Sequence, residues 1–148
     1  MPEGSDINFH AATPILSVQN LAASLDYYVK ALGFRVDWVD PGVFASVSRG
    51  ACSLMLCEND QGHAGTWVWI GVGDADRLYE EYQARGAHIR LPPTNYGWAN
   101  ELHVFDLDGH VLRFGSDPKK DQPVGNWHDM RGNVYERRPE GGWKKIEE

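Results

Sequence analysis

The order β-α-β occurs twice in this chain, and that repeat constrains the fold more than any other feature. Ile15-Leu16-Ser17-Val18 is a β-prone run. It is followed by Asn20, an N-cap residue type, and by Leu21, Leu25, Tyr28 and Leu32, which share one helical face. Gly33 is suited to stop that helix in a left-handed conformation. Phe34 to Val39, Val43 to Ser48 and Cys52 to Cys57 then read as strands, broken at Pro41-Gly42 and Gly50. The order returns with a strand from Trp67 to Val72, Asp74 as N-cap, Leu78 and Tyr82 on a helix face, and Gly86 as the stop. Val18 aligns with Val72, Asn20 with Asp74 and Tyr28 with Tyr82 at one constant offset. Helices are expected over about 21–32 and 75–85. Ala87 to Leu91 begins the next strand, and a long loop is expected through Pro92 to Asn100. Leu102 to Asp106 and Val111 to Gly115 flank Asp108-Gly109, a pair suited to a tight turn.

Two motifs tie this repeat to a known family. Ser24-Leu25-Asp26-Tyr27-Tyr28 with Leu32-Gly33-Phe34 resembles the first helix of vicinal-oxygen-chelate proteins. The segment from Asp106 to Gly115 is similar to their closing hairpin, with Leu107 where proline is usual. That superfamily includes glyoxalases, extradiol dioxygenases, fosfomycin-modifying enzymes and bleomycin-binding resistance proteins. The resemblance implies an α+β fold of two βαβββ modules, whose curved mixed sheets enclose a cleft with helices outside. It places a vicinal-oxygen-chelate domain at 8–117, with module 1 at about 11–60 and module 2 at about 66–117. Residues 118–148 remain as a linker and a C-terminal β-hairpin extension.

The enzymes of the family hold a metal on His, Gln or Glu of the first strand of each module and on Glu of a last strand. Carried over residue by residue, those positions fall on Thr13, Trp67, Arg113 and one of Leu54, Met55 or Leu56. Such side chains do not form a divalent site, and a fixed guanidinium would repel a metal. The six histidines have no metal-ligand spacing. The expectation is therefore a metal-free, cofactor-free binder similar to the bleomycin-resistance branch. The alternative is a related enzyme with a divergent metal site, or with Glu101 and His103 as an acid–base pair.

Strand alternation predicts which residues line the cleft. Thr13, Trp67, Trp69, Glu101, His103 and Arg113 share the inward direction, Phe44 and Met55 are candidates from module 1, and Trp98 is a candidate lid. Trp67, Trp69 and Trp98 can stack a planar or cationic compound, Glu101 can pair with a ligand cation, and Arg113 with Glu101 or a ligand anion. The same indoles would also serve as filling for an otherwise hollow sheet.

Composition narrows the partners. The net charge of −7 argues against a nucleic-acid partner and mildly favours a cationic ligand. No apolar run approaches a membrane span. The N-terminus lacks a secretory pattern, and Cys52 and Cys57 point to opposite strand faces, so a cytoplasmic protein is expected. A homodimer is expected, because paired modules leave sheet edges exposed. In the extension, Trp127 to Arg138 and Gly142 to Ile146 read as a hairpin around Pro139-Glu140-Gly141. Its Trp127, Tyr135 and Trp143 must pack somewhere: on a sheet edge, on a dimer partner, or over the cleft.

Overall fold

The computed structural model describes residues 7–146. Module 1 contains β1 (Ile15–Val18), α1 (Leu21–Lys30), β2 (Arg35–Asp40), β3 (Phe44–Arg49) and β4 (Cys52–Glu58). Module 2 repeats the order with β5 (Trp67–Gly71), α2 (Ala75–Arg85), β6 (His88–Asn95), β7 (Asn100–Phe105) and β8 (Val111–Ser116). Each module is a four-stranded mixed sheet, β1-β4-β3-β2 or β5-β8-β7-β6. Its first and last strands run parallel and the other pairs run antiparallel. The repeat in the sequence is thus a repeat of topology.

Local chemistry sets the helix ends. The Asn20 and Asp74 side chains accept from the backbone N–H three residues on, at 2.9 and 3.1 Å. Gly86 ends α2 at φ 78°, a region that costs a residue with Cβ about 1 kcal/mol or more. Alternation then divides each sheet. Leu16, Val18, Ala45, Val47, Leu54 and Leu56 face α1, while Ile70, Leu102, Val104, Leu112 and Phe114 face α2. All of them, with the buried residues of both helices, form one core.

The tight turn after β7 joins the modules. Asp106 is buried, and one carboxylate oxygen accepts from the backbone N–H of Asp108 and His110 at 2.9 and 3.0 Å. Its other oxygen accepts from the Tyr28 hydroxyl of α1 at 2.7 Å. Asp108 in turn accepts from the Gln19 N–H at 2.9 Å. His110 accepts at Nδ1 from the Thr66 N–H, 2.9 Å away, so its proton sits on Nε2, which donates to the Ser17 carbonyl at 2.6 Å. From the other side the Tyr82 hydroxyl donates to the Leu32 carbonyl at 2.8 Å. The family motif is therefore a hydrogen-bonded joint as well as a turn.

One expectation is corrected and one is extended. The long loop from Pro92 to Asn100 is mostly strand: β6 runs to Asn95, with irregular register between Leu91 and Thr94. Pro92 and Pro93 are tolerated because they sit in a bulge of this edge strand, two residues opposite Leu102 alone, where the ladder is interrupted. The expected C-terminal hairpin is present as β10 (Val134–Arg137) and β11 (Trp143–Ile146), and β9 (Trp127–His128) adds a third strand beside β10. Asp129 breaks the run after Trp127-His128, because its carboxylate accepts from the backbone N–H of Arg131 and Asn133, each at 2.9 Å, and folds the chain back. Among the described residues no helix is long and apolar enough to cross a membrane.

The joint can be tested by Tyr28→Phe, which removes one hydrogen bond from buried Asp106. A loss of about 1–2 kcal/mol in urea unfolding is expected. Tyr79→Phe, whose hydroxyl meets only exposed Gln83, should change stability by less than about 0.5 kcal/mol.

Candidate functional site

On the face of the second sheet away from α2, strand register arranges the side chains in rows. Trp69, Arg113 and His103 lie side by side across β5, β8 and β7, and the next row is Gly71, Gly115 and Glu101. The two glycines leave a trough for the Trp69 indole. A Cβ on Gly115 would come within 2.3 Å of the Trp69 ring. Lying in that trough, the Trp69 Nε1–H donates to Glu101 Oε2 at 3.2 Å.

Glu101 is fully buried, and donors surround it. Arg113 grips it with two nitrogens, Nε on Oε1 at 2.8 Å and a terminal nitrogen on Oε2 at 3.0 Å. His103 Nε2 donates to Oε1 at 2.9 Å, and the Trp98 indole N–H donates to Oε2. Burial alone would raise the carboxyl pKa, but the bonds from His103, Arg113 and Trp98 outweigh it and lower it to about 2. His103 is sealed as well, with Nδ1 set 3.0 Å from the Arg90 guanidinium. A guanidinium only donates, so His103 carries its proton on Nε2. Burial pushes its pKa down despite the neighbouring Glu101.

The C-terminal sheet closes this face. Trp127 lies against Trp67 and His103, with ring centres 6.4 and 5.7 Å apart, and under the Arg113 guanidinium at 5.1 Å. Arg90 stacks on Trp67 at 5.0 Å and donates to the His128 carbonyl at 2.7 Å. Tyr96 stacks on Trp98 with centres 4.8 Å apart, and Trp143 meets both rings edge-on. Between these parts lies a cavity of about 460 Å³ lined by Trp98, Arg113, Trp127, Asp129, Arg131, Tyr135 and Trp143. Its size suits a small ligand.

The expected site residues thus divide. Trp67, Trp69, Trp98, Glu101, His103 and Arg113 come together on the second sheet. Phe44 and Met55 lie on the first sheet, on the face shared with Ile15 and Ser17, and exposed Thr13 precedes β1. Glu101 is not open to a ligand cation, because its oxygens already hold five donated hydrogen bonds. Trp67 and His103 do not line an open cleft either, since Trp127 covers them. Arg90, Tyr96, Asp129 and Arg131 were not legible as site residues. The paired aromatics of the extension were the one sequence signal that something packs here.

The positions that carry metal ligands in the related enzymes do not fit a metal. Thr13 is exposed before β1, Trp67 is packed under Arg90 and Trp127, and Arg113 is tied to Glu101. Among the described residues no three His, Cys, Asp or Glu side chains converge as a metal cluster.

Residues 9–114 match the family described as Glyoxalase/Bleomycin resistance protein/Dioxygenase superfamily. The chain belongs to that superfamily. Similar solved structures include the bleomycin-binding protein of Streptomyces verticillus complexed with copper(II)-bleomycin. It is 28% identical with a TM-score of 0.65, and the match covers 74% of this chain and 98% of that one. TioX from Micromonospora sp. ML1 is 23% identical at TM-score 0.65, covering 74% and 99%. The bleomycin resistance determinant encoded on transposon Tn5 is 21% identical at TM-score 0.64, covering 74% and 98%. No curated protein sequence matches significantly. The superfamily match ends at residue 114, so the C-terminal sheet lies beyond it.

Two measurements test the Glu101 cluster. Gly115→Ala should lose about 1–3 kcal/mol of stability and displace Trp69, seen as a change in near-ultraviolet circular dichroism. The Glu101 pKa is lowered on folding, so its contribution is fully present above the unfolded value of 4.5 and is lost as pH falls toward about 2. Acid unfolding of Glu101→Gln should therefore be shallower than wild type across that window, from a lower stability at neutral pH.

Proposed function

We propose that this protein binds a small planar aromatic molecule without transforming it, and that it does so as a homodimer. One observation carries the binding reading. Aromatic rings gather around a carboxylate whose charge is already compensated, and they leave a ligand-sized cavity between themselves. Trp98 is 49% exposed and Trp69 52% exposed, although both indole N–H groups are anchored on Glu101. Rings held at one edge and open at the face are ready to stack a flat ligand at little entropic cost. The bleomycin complex of the Streptomyces verticillus relative shows that a protein of this fold binds a small molecule.

The acid–base alternative draws no support from the geometry. A carboxylate held ionised by five donors is a weak base, and Trp127 closes off His103.

The first sheet supports the homodimer. Its outer face carries Ile15 at 39% and Trp38 at 47% exposure, with Trp38 stacked on Phe44. Among the described residues β1 pairs only with β4, and β5 only with β8. Two free edges and an uncovered apolar face suit a two-fold partner. In such a dimer Thr13, Phe44 and Met55 of one protomer can complete the surface offered by its partner.

Trp98→Ala should weaken binding of an aromatic ligand by about 1–3 kcal/mol, read by titration calorimetry. Trp67→Ala should instead act mainly on stability, by about 3–5 kcal/mol, because that ring is packed between Arg90 and Trp127. Light scattering at micromolar concentration should give twice the chain mass. A monomer would remove the dimer from this reading, and equal affinities of Trp98→Ala and wild type would remove the site.

A further inference from the structure

We propose that the cavity between the C-terminal sheet and the second module selects a planar aromatic anion, of which an aryl carboxylate is the simplest form. This deepens the small-molecule reading above and rests on it. The inference comes from which polar groups around the cavity remain available.

Every carboxylate there is occupied. Glu101 is buried beneath its donors. Asp129 accepts at Oδ1 from the N–H groups of Arg131 and Asn133, and at Oδ2 from Asn133 Nδ2 and the Tyr135 hydroxyl, at 2.9 to 3.2 Å. Those bonds turn its charge into its own loop, and they also take up the Tyr135 proton.

What remains is donors. Arg113 binds Glu101 through Nε and one terminal nitrogen, leaving the other terminal nitrogen without a partner among the described residues. The Arg131 guanidinium and the indole N–H groups of Trp127 and Trp143 make no hydrogen bond among the described residues. None of them is sealed from solvent, since His128 Nδ1 is the buried side-chain nitrogen left without a partner there. A ligand entering between Trp98, Trp127 and Trp143 therefore meets aromatic faces and donors.

A cation is disfavoured for a second reason. Trp127 and Trp143 each already carry a cation of the protein on one face, Arg113 at 5.1 Å and Arg137 at 5.7 Å, and that charge repels a second cation. The charge of the segment agrees. Residues 118–148 carry seven basic and six acidic side chains, whereas residues 1–117 carry seven basic and fifteen acidic ones. The C-terminal extension thus escapes the strong negative charge of the rest of the protein.

The test is calorimetry of the full chain with three probes of one ring system: naphthoate, naphthamide and naphthylmethylammonium. Naphthoate should bind about tenfold more tightly than the amide, with the ammonium weakest. Arg131→Gln should weaken naphthoate by about three- to tenfold and leave the amide unchanged, and Arg131→Lys should restore most of the loss. Arg131 is exposed on a turn, so these variants should fold normally. Equal affinity for all three probes, or tightest binding of the ammonium, would overturn the anion inference. The aromatic reading would then still stand if Trp98→Ala weakened every probe. Naphthoate preference unchanged by both Arg131→Gln and Arg131→Glu would place the anion elsewhere and overturn it too. No binding of any probe would end both readings.

Discussion

A single buried carboxylate organises the second module and the C-terminal sheet packed on it. Ionised Glu101 at zero exposure is tolerable only when its lone pairs are filled. The donors that fill them are Trp69, Trp98, His103 and Arg113. Each donor is thereby given a position. Trp69 must lie flat in the trough of Gly71 and Gly115, Trp98 must fold back over its own loop, and His103 must present Nε2 and turn Nδ1 to Arg90. Removing the carboxylate would leave a guanidinium and three N–H groups converging on nothing, a larger penalty than the loss of any one bond.

The C-terminal sheet follows from that arrangement. Once Arg113 is fixed along β8, its guanidinium presents a flat cation on which Trp127 stacks. Once Arg90 is fixed beside His103, it reaches the His128 carbonyl and the Met130 sulfur of the extension. The segment beyond the superfamily match is therefore built onto side chains inside it. In the related enzymes the corresponding positions hold metal ligands. Here Trp67 and Arg113 instead hold a lid of the chain's own making, and the lid contributes most of the remaining cavity wall.

The two modules are legible from residues because their determinants are local. The helix caps, the stopping glycines, the alternation of Leu102 and Val104 and the Asp108-Gly109 turn each act within a few residues. Where expectation and structure part, a non-local or competing effect intervenes. Pro92 and Pro93 signal a loop but sit in a bulge of an edge strand, where the ladder is interrupted and the missing N–H groups are not needed. Trp127 to Arg138 is expected as one strand of a hairpin, yet the Asp129 side chain competes for the backbone and, with Gly132 and Asn133, inserts a turn.

From residues alone come the repeat, the superfamily, the non-ligating side chain types of Thr13, Trp67 and Arg113, and the facing of Glu101, His103 and Arg113 to one side. These follow from residue types and a strand period of two. Tertiary structure decided that Glu101 is compensated, that Trp67 and His103 are covered, that Thr13, Phe44 and Met55 lie on another sheet, and that the extension supplies Trp127, Arg131 and Trp143. The difference is physical: alternation fixes the face a side chain takes, whereas its availability depends on groups distant in the chain that compete for the same lone pairs and the same surface.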